Sequence, residues 1–219
     1  MDLRGHGGSA FDGREFGLDD MADDVRGTLD ALRISRAVLV GLSMGGGVAQ
    51  ALAIAQPHLV RGLVLVSTSS EFPSETRKRF LARATHAERE GMAAVVDAIV
   101  PRWFTPAFME THQEEVERTT RSVLTIDPHA FAAASRANAA RRLTDDLGRI
   151  ECPVLFVGGS DDPANPERAL AIYRRALSGL RSEIIVGASH LVPVEAPDRF
   201  NTILLRFIAE PHATYEGEN

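Results

Sequence analysis

Val38-Leu39-Val40-Gly41-Leu42-Ser43-Met44-Gly45-Gly46-Gly47 is the stretch whose reading decides the fold. Its first half is a short apolar run, the pattern of a buried strand, and its second half is a helix start made of small residues. Between them sits Ser43 with Gly41 and Gly45 two residues to either side, a G-x-S-x-G pattern in its strand-to-helix context. A sharp turn from strand to helix crowds the backbone around the serine, so glycine is expected at 41 and 45, where a Cβ would clash. Ser43 is then forced outward. Met44 would hold its N–H at a helix N-terminus, where unpaired donors and the dipole favour negative charge. Ser43 is thus a candidate nucleophile and the Met44 N–H a candidate oxyanion donor. The plainer alternatives are a glycine-rich helix start packed on a sheet, or a phosphate cradle. A phosphate loop wants Gly-Lys-Ser/Thr and a dinucleotide fingerprint wants G-x-G-x-x-G, and neither stands here.

On both sides of this stretch the pattern alternates between helix and strand. Met21, Val25, Leu29 and Leu32 share one face of a helix over 18–32, with Asp19 and Asp20 at its N-terminus, where the dipole favours acids. Ala37 to Val40 reads as the strand before the turn, and Met44 to Ala55 as the helix after it, closed by Pro57. Gly62 to Val66 is a second apolar strand. Continuous apolar strands separated by a helix mean a parallel sheet covered on both faces. From Glu71 to Arg142 the pattern becomes helical and charged, with Arg77-Lys78-Arg79 and no convincing strand, which suggests an inserted helical cap. The sheet resumes at Pro153 to Val157, followed by a helix over 166–177, a strand over 183–186 and a last helix over 197–209. The expected organisation is therefore an α/β core over 1–70 and 143–210, a helical cap over 71–142 and a polar tail over 211–219.

Composition narrows the class. The 219 residues are 44% hydrophobic and 25% charged, enough for one sizeable core with an inserted subdomain. The formal net charge of -6, with no long basic run, argues against a nucleic-acid or anionic-membrane surface. No stretch of 18 apolar residues occurs. Cys152, the single cysteine, rules out an internal disulfide framework, and no Cys/His spacing suits zinc; a serine nucleophile of the kind Ser43 suggests is expected to work with neither metal nor organic cofactor. Cytoplasmic localisation is the default expectation.

In open parallel α/β sheets the chemistry collects at the carboxyl ends of strands. An acid and a base should therefore follow two later strands. Gly158-Gly159-Ser160-Asp161-Asp162-Pro163 follows one, and Gly187-Ala188-Ser189-His190 follows the other. Singly, the two aspartates could form an ordinary turn, and most of the seven histidines must be surface residues. Together, Ser43, Asp162 and His190 stand in the chain order serine, acid, histidine of a catalytic triad.

These motifs resemble the α/β-hydrolase superfamily from Asp2 to about Ala209. Asp2-Leu3-Arg4-Gly5-His6-Gly7-Gly8-Ser9 is similar to its D-x-R-G-x-G-x-S loop, and Gly159-Ser160-Asp161-Asp162 to its G-x-x-D acid motif, which favours Asp162 over Asp161. Ala188-Ser189-His190, then Glu195-Ala196-Pro197, resembles its histidine loop and last helix. Within the superfamily, Gly91-Met92, Pro101-Arg102-Trp103-Phe104-Thr105-Pro106-Ala107-Phe108, Ile126-Asp127 and Asp161-Asp162-Pro163-Ala164-Asn165-Pro166 resemble the 3-oxoadipate enol-lactonases, enzymes of aromatic compound catabolism. General esterases, C–C hydrolases and cofactor-free perhydrolases share the architecture.

The resemblance implies a small-molecule ester or lactone as substrate. Ser43 would attack its carbonyl, His190 would take the proton, and Asp162 would hold the imidazole. An enol-lactone of this kind carries a carboxylate, so an aromatic wall and a cation are expected; Trp103, with Arg102 or Arg136, are the candidates. The resemblance also implies a second oxyanion donor after an upstream strand. The sequence opens on the later D-x-R-G loop, so the sheet is expected to be truncated at its N-terminal side, with the strand at Ala37 to Val40 as an exposed edge. A fragment is the favoured reading. A weakly active or non-catalytic hydrolase remnant is the alternative, and the oligomeric state is left open.

Overall fold

A computed structural model describes residues 1–210; the tail expected over 211–219 lies outside the described residues. The chain forms helix α1 (Leu18–Ala31), strand β1 (Ala37–Leu42), α2 (Met44–Ala55) and β2 (Val60–Val66), in that order. Next come α3 (Ser74–Glu90), α4 (Ala93–Ile99), α5 (Pro106–Thr111), α6 (Gln113–Leu124) and α7 (Pro128–Ala140). Strand β3 (Val154–Gly159), α8 (Pro166–Ala176), β4 (Arg181–Ile185), α9 (Val192–Glu195) and α10 (Pro197–Ala209) complete the described fold.

The four strands lie in the order β1-β2-β3-β4, all parallel. Each strand is separated from the next by helix, as parallel pairing requires. Alternation along the strands then feeds two cores. Leu63, Leu65, Val154 and Phe156 face α1, α2 and α8, while Val64, Val66, Leu155 and Val157 face Phe200 and Phe207 of α10. Every residue of β2 except the exposed Arg61 is buried, which explains its continuous apolar run. Full burial of each such Leu or Val contributes about 1.5–3 kcal/mol. Strand β1 pairs only with β2 among the described residues, and Val40 is 47% exposed, as an edge position allows.

The chain leaves the sheet after Ser70 and returns at Arg142, where Glu71 and Arg142 form an antiparallel bridge. Between these two points it is helical. Alanines let α3 and α7 approach closely, with Ala84 and Ala87 buried on one and Ala130, Ala133, Ala134 and Ala137 on the other. A separate apolar cluster around Met92, Val96, Ile99, Phe104 and Phe108 reaches Leu191 and Val194, beside the loop that carries His190. Pairing carries β4 back to Arg181, two residues before the strand read from apolar content, and ends it at Ile185; Val186 lies outside and is 76% exposed. Among the described residues β4 pairs only with β3, and such an edge position tolerates the polar Arg181 and Ser182.

Candidate active site

Ser43 occupies the tip between β1 and α2 with φ 53° and ψ -110°, a conformation L-residues rarely adopt. Such a residue costs about 1–3 kcal/mol and persists only where its surroundings over-determine it. Two bonds hold it from the sheet side. Its N–H donates to the Val66 carbonyl at 2.9 Å, and its own carbonyl accepts from the Thr68 hydroxyl at 2.6 Å. A Cβ at Gly41 would meet the Gly45 carbonyl oxygen at 2.4 Å, so glycine is required there. Position 45 departs from the sequence expectation: a Cβ there meets nothing within 4 Å, and the tight glycines are Gly46, against Thr68 Cγ2 at 2.5 Å, and Gly47, against the Arg141 guanidinium carbon at 2.5 Å. Met44 opens α2, so its N–H has no carbonyl one turn back to pair with.

The two aspartates after β3 differ sharply. Asp162 is buried; its Oδ2 lies 2.9 Å from His190 Nδ1 and its Oδ1 accepts the Ala164 N–H at 2.8 Å. Asp161 is exposed, its Oδ1 accepting from the Ser160 hydroxyl at 2.6 Å. His190 is held from both sides. The Ser189 N–H donates to Glu195 Oε2, and the Leu191 N–H donates to the Trp103 carbonyl at 3.1 Å. Glu195 Oε1 also accepts from the Thr105 N–H at 2.6 Å and the Thr105 hydroxyl at 2.9 Å. With Nδ1 engaged by Asp162, Nε2 is the ring nitrogen available for chemistry.

Ser43, Met44, Asp162 and His190 line one cavity of about 770 Å³, a size suited to a small molecule. Trp103 and Arg102 line it too. Arg136 does not. Its guanidinium bonds Glu88 at 2.8 and 3.0 Å and Glu15 at 3.0 Å, which keeps its pKa above the usual arginine value, and the candidate cation at 136 is corrected accordingly. A long basic side chain on an alanine-rich helix is satisfied locally by the nearest acids, and sequence alone does not name them.

Sequence reasoning missed Arg79 and Arg83, which line the cavity with Thr76 and Phe80. The signal was present: positions 76, 79, 80 and 83 form one stripe of α3 at i, i+3, i+4 and i+7. Burial lowers the Arg83 pKa, and the positive charges of Arg102 and Arg79 lower it further. None of the three forms an ion pair among the described residues. The D-x-R-G loop contributes Leu3 and His6 to the lining. Arg4 fastens that loop to α1 through Asp24, at 2.6 and 2.7 Å. Among the described residues no group of three His, Cys, Asp or Glu side chains is arranged to hold a metal ion, and no helix is long and apolar enough to cross a membrane.

Comparison with known proteins agrees with this architecture. The chain is 30% identical over 200 residues to 3-oxoadipate enol-lactonase 2 of Acinetobacter baylyi, covering 91% of this chain and 74% of that one. It is 32% identical over 209 residues to a putative carbamate hydrolase RutD of Agrobacterium fabrum, covering 89% and 75%. The crystal structure of the enol-lactonase from Burkholderia xenovorans superposes with a TM-score of 0.91 at 31% identity, over 95% of this chain and 79% of that one. A malate-bound thermophilic esterase from Thermogutta terrifontis superposes with a TM-score of 0.88 at 31% identity, over 94% and 77%. The profile of the alpha/beta hydrolase family matches residues 1–203, and the chain belongs to that family.

Proposed function

We propose that this hydrolase cleaves a small carboxylic ester or lactone through Ser43, His190 and Asp162, and that its substrate carries a carboxylate, as a 3-oxoadipate enol-lactone does. The contact between His190 Nδ1 and the buried Asp162 Oδ2, in the cavity that Ser43 lines, carries this reading. Nε2 of His190 takes the Ser43 proton as Oγ attacks the carbonyl, and Asp162 stabilises the imidazolium. The tetrahedral oxyanion is met by the Met44 N–H. Collapse expels the alkoxide or enolate, which takes the proton back from His190. Water, deprotonated in turn by His190, then releases the acid and regenerates Ser43.

The carboxylate is argued from charge. Arg83 and Arg102 are half-buried and Arg79 stands at the rim, beside the apolar surfaces of Phe80 and Trp103. Partly desolvated cations without anionic partners favour an anionic ligand, since it removes their mutual repulsion and supplies charge-assisted hydrogen bonds. The two carboxylates in the lining are Glu71 and Asp162, and Asp162 is engaged by His190. A dicarboxylate-bound esterase and enol-lactonases among the similar proteins fit this charge pattern. The cytoplasm as the place of work belongs to the same proposal, supported by a lone, half-buried thiol with no second cysteine to pair with.

The test is hydrolysis of a γ-lactone or enol-lactone bearing a free carboxylate beside its methyl ester and an N-alkyl carbamate. The free acid should have the highest kcat/KM, and Ser43→Ala should abolish all but background. Preference for the neutral ester makes the chain a general esterase; preference for the carbamate follows the second group of relatives.

A further inference from the structure

Arg141 is the largest fully buried side chain of the described fold, and it has no carboxylate partner among the described residues. Burial pushes its pKa down to about 10, so it remains a cation near neutral pH. A buried guanidinium without an anion is expensive unless its surroundings use it. Its surroundings here are specific. Nη1 donates to Thr68 Oγ1 at 3.0 Å and to the Ser69 carbonyl at 2.6 Å, and Nη2 donates to Asn138 Oδ1. The Phe72 ring lies 4.8 Å from the guanidinium carbon, and a Cβ at Gly47 would meet that carbon at 2.5 Å. The side chain is therefore wedged between the start of α2, the end of β2 and the point where the helical segment rejoins the core.

The chemistry of these donors fixes a direction. A guanidinium has only donors, so Thr68 Oγ1 must accept from Arg141, and the single hydroxyl proton of Thr68 is committed to the Ser43 carbonyl at 2.6 Å. That carbonyl also accepts the Gly47 N–H at 3.3 Å. Orientation of a carbonyl is the ψ angle of its residue, here the unusual -110° of Ser43. The peptide between Ser43 and Met44 is planar and trans, so its C=O and N–H point in opposite directions. Gripping the Ser43 oxygen from behind thus aims the Met44 N–H forward.

We propose that Arg141 and Thr68 are positioning residues that lock the Ser43–Met44 peptide plane and thereby orient the oxyanion donor. The relay rests on the reading of Ser43 as nucleophile. It acts through the backbone of Ser43: Arg141 lies outside the cavity lining, and Thr68, which is in the lining, has its hydroxyl turned to the Ser43 carbonyl. Its effect falls on the step in which negative charge develops, hence on kcat and on the rate of phosphonylation, with KM little moved. Thr68→Val keeps the shape that packs on Gly46 but removes the hydroxyl, whereas Thr68→Ser keeps the hydroxyl.

The experiment measures the second-order rate of fluorophosphonate labelling, with the site mapped by peptide mass spectrometry, together with kcat and KM for the preferred lactone. Wild type, Thr68→Val, Thr68→Ser, Arg141→Met and the double variant T68V/R141M are compared. Thr68→Val should slow labelling and kcat by about 10- to 100-fold at nearly constant KM. Thr68→Ser should stay within about threefold of wild type. Arg141→Met should slow labelling similarly, and the double variant should be no slower than the slower single, because both act through one bond. Should Arg141→Met fail to fold, the contrast between Thr68→Val and Thr68→Ser decides alone. Wild-type rates in Thr68→Val, or losses that multiply in the double variant, overturn the relay while leaving Ser43 as nucleophile. Wild-type labelling at a serine other than Ser43 overturns the proposed function, and the relay falls with it.

Discussion

Asp161 and Asp162 are chemically identical neighbours with opposite surroundings, and function at the scale of single residues follows from that difference. Asp162 is buried against His190 Nδ1, while Asp161 is exposed and bonded to Ser160. Asp162→Asn should therefore lower kcat by about 10⁴-fold, because the amide stabilises neither the required tautomer nor the imidazolium. Asp161→Asn should change turnover far less, and steady-state kinetics on the two variants checks both. Cys152 provides a second residue-scale expectation. Burial pushes its thiol up to about 11, so in the folded protein it should resist iodoacetamide at about pH 8 and react once urea unfolds the chain. That Ser43, Asp162 and His190 would meet at one cavity was legible in the sequence because each follows a strand at a position that topology makes special. The sequence did not contain Arg136's partners, nor the fact that Gly46 and Gly47, rather than Gly45, are the close-packed glycines of α2. Those depend on which side chains arrive from distant parts of the chain, here Thr68 and Arg141.

At the scale of elements, the loop that carries His190 shows how the side chain proposed as the base is held without regular structure. Glu195, in the short helix α9, reaches back to the Ser189 N–H and across to Thr105, the residue that caps α5. Glu195→Ala removes the acceptor for Ser189 and for both donors of Thr105. It should lower the thermal melting point by an amount equivalent to about 2–4 kcal/mol, and reduce kcat as the loop loosens. A variant with unchanged melting and turnover would mean that the Leu191 to Trp103 bond suffices. Element existence was largely legible: α2 and α10 begin and end where the apolar pattern and the prolines place them. Strand β4 was less legible, since an edge strand with polar Arg181, Ser182 and Glu183 carries little apolar signal. The inward face of α3 was obscured for another reason. Its stripe of Thr76, Arg79, Phe80 and Arg83 faces a cavity rather than the core, so its polarity resembles that of a solvated surface.

At the scale of the whole molecule, one cavity is lined by the loops after β1, β3 and β4 and by the helices that follow β2, which brings Ser43 and His190 together with Arg79, Arg83 and Arg102. The division of labour predicts separable effects. Arg83→Gln or Arg102→Gln should raise KM for a carboxylate-bearing lactone by about 10- to 100-fold while a neutral methyl ester is barely affected. Arg136→Gln should leave both substrates alone and lower stability only slightly, since its bonds to Glu15 and Glu88 lie partly in solvent. The central claim is that Ser43 is the nucleophile of a hydrolase. Its most direct test is fluorophosphonate labelling of the wild-type protein followed by mass-spectrometric mapping of the modified peptide, with Ser43→Ala alongside. A single phosphonyl group on Ser43, absent from Ser43→Ala, is the predicted result; a label on another serine, or labelling that persists in Ser43→Ala, would contradict it.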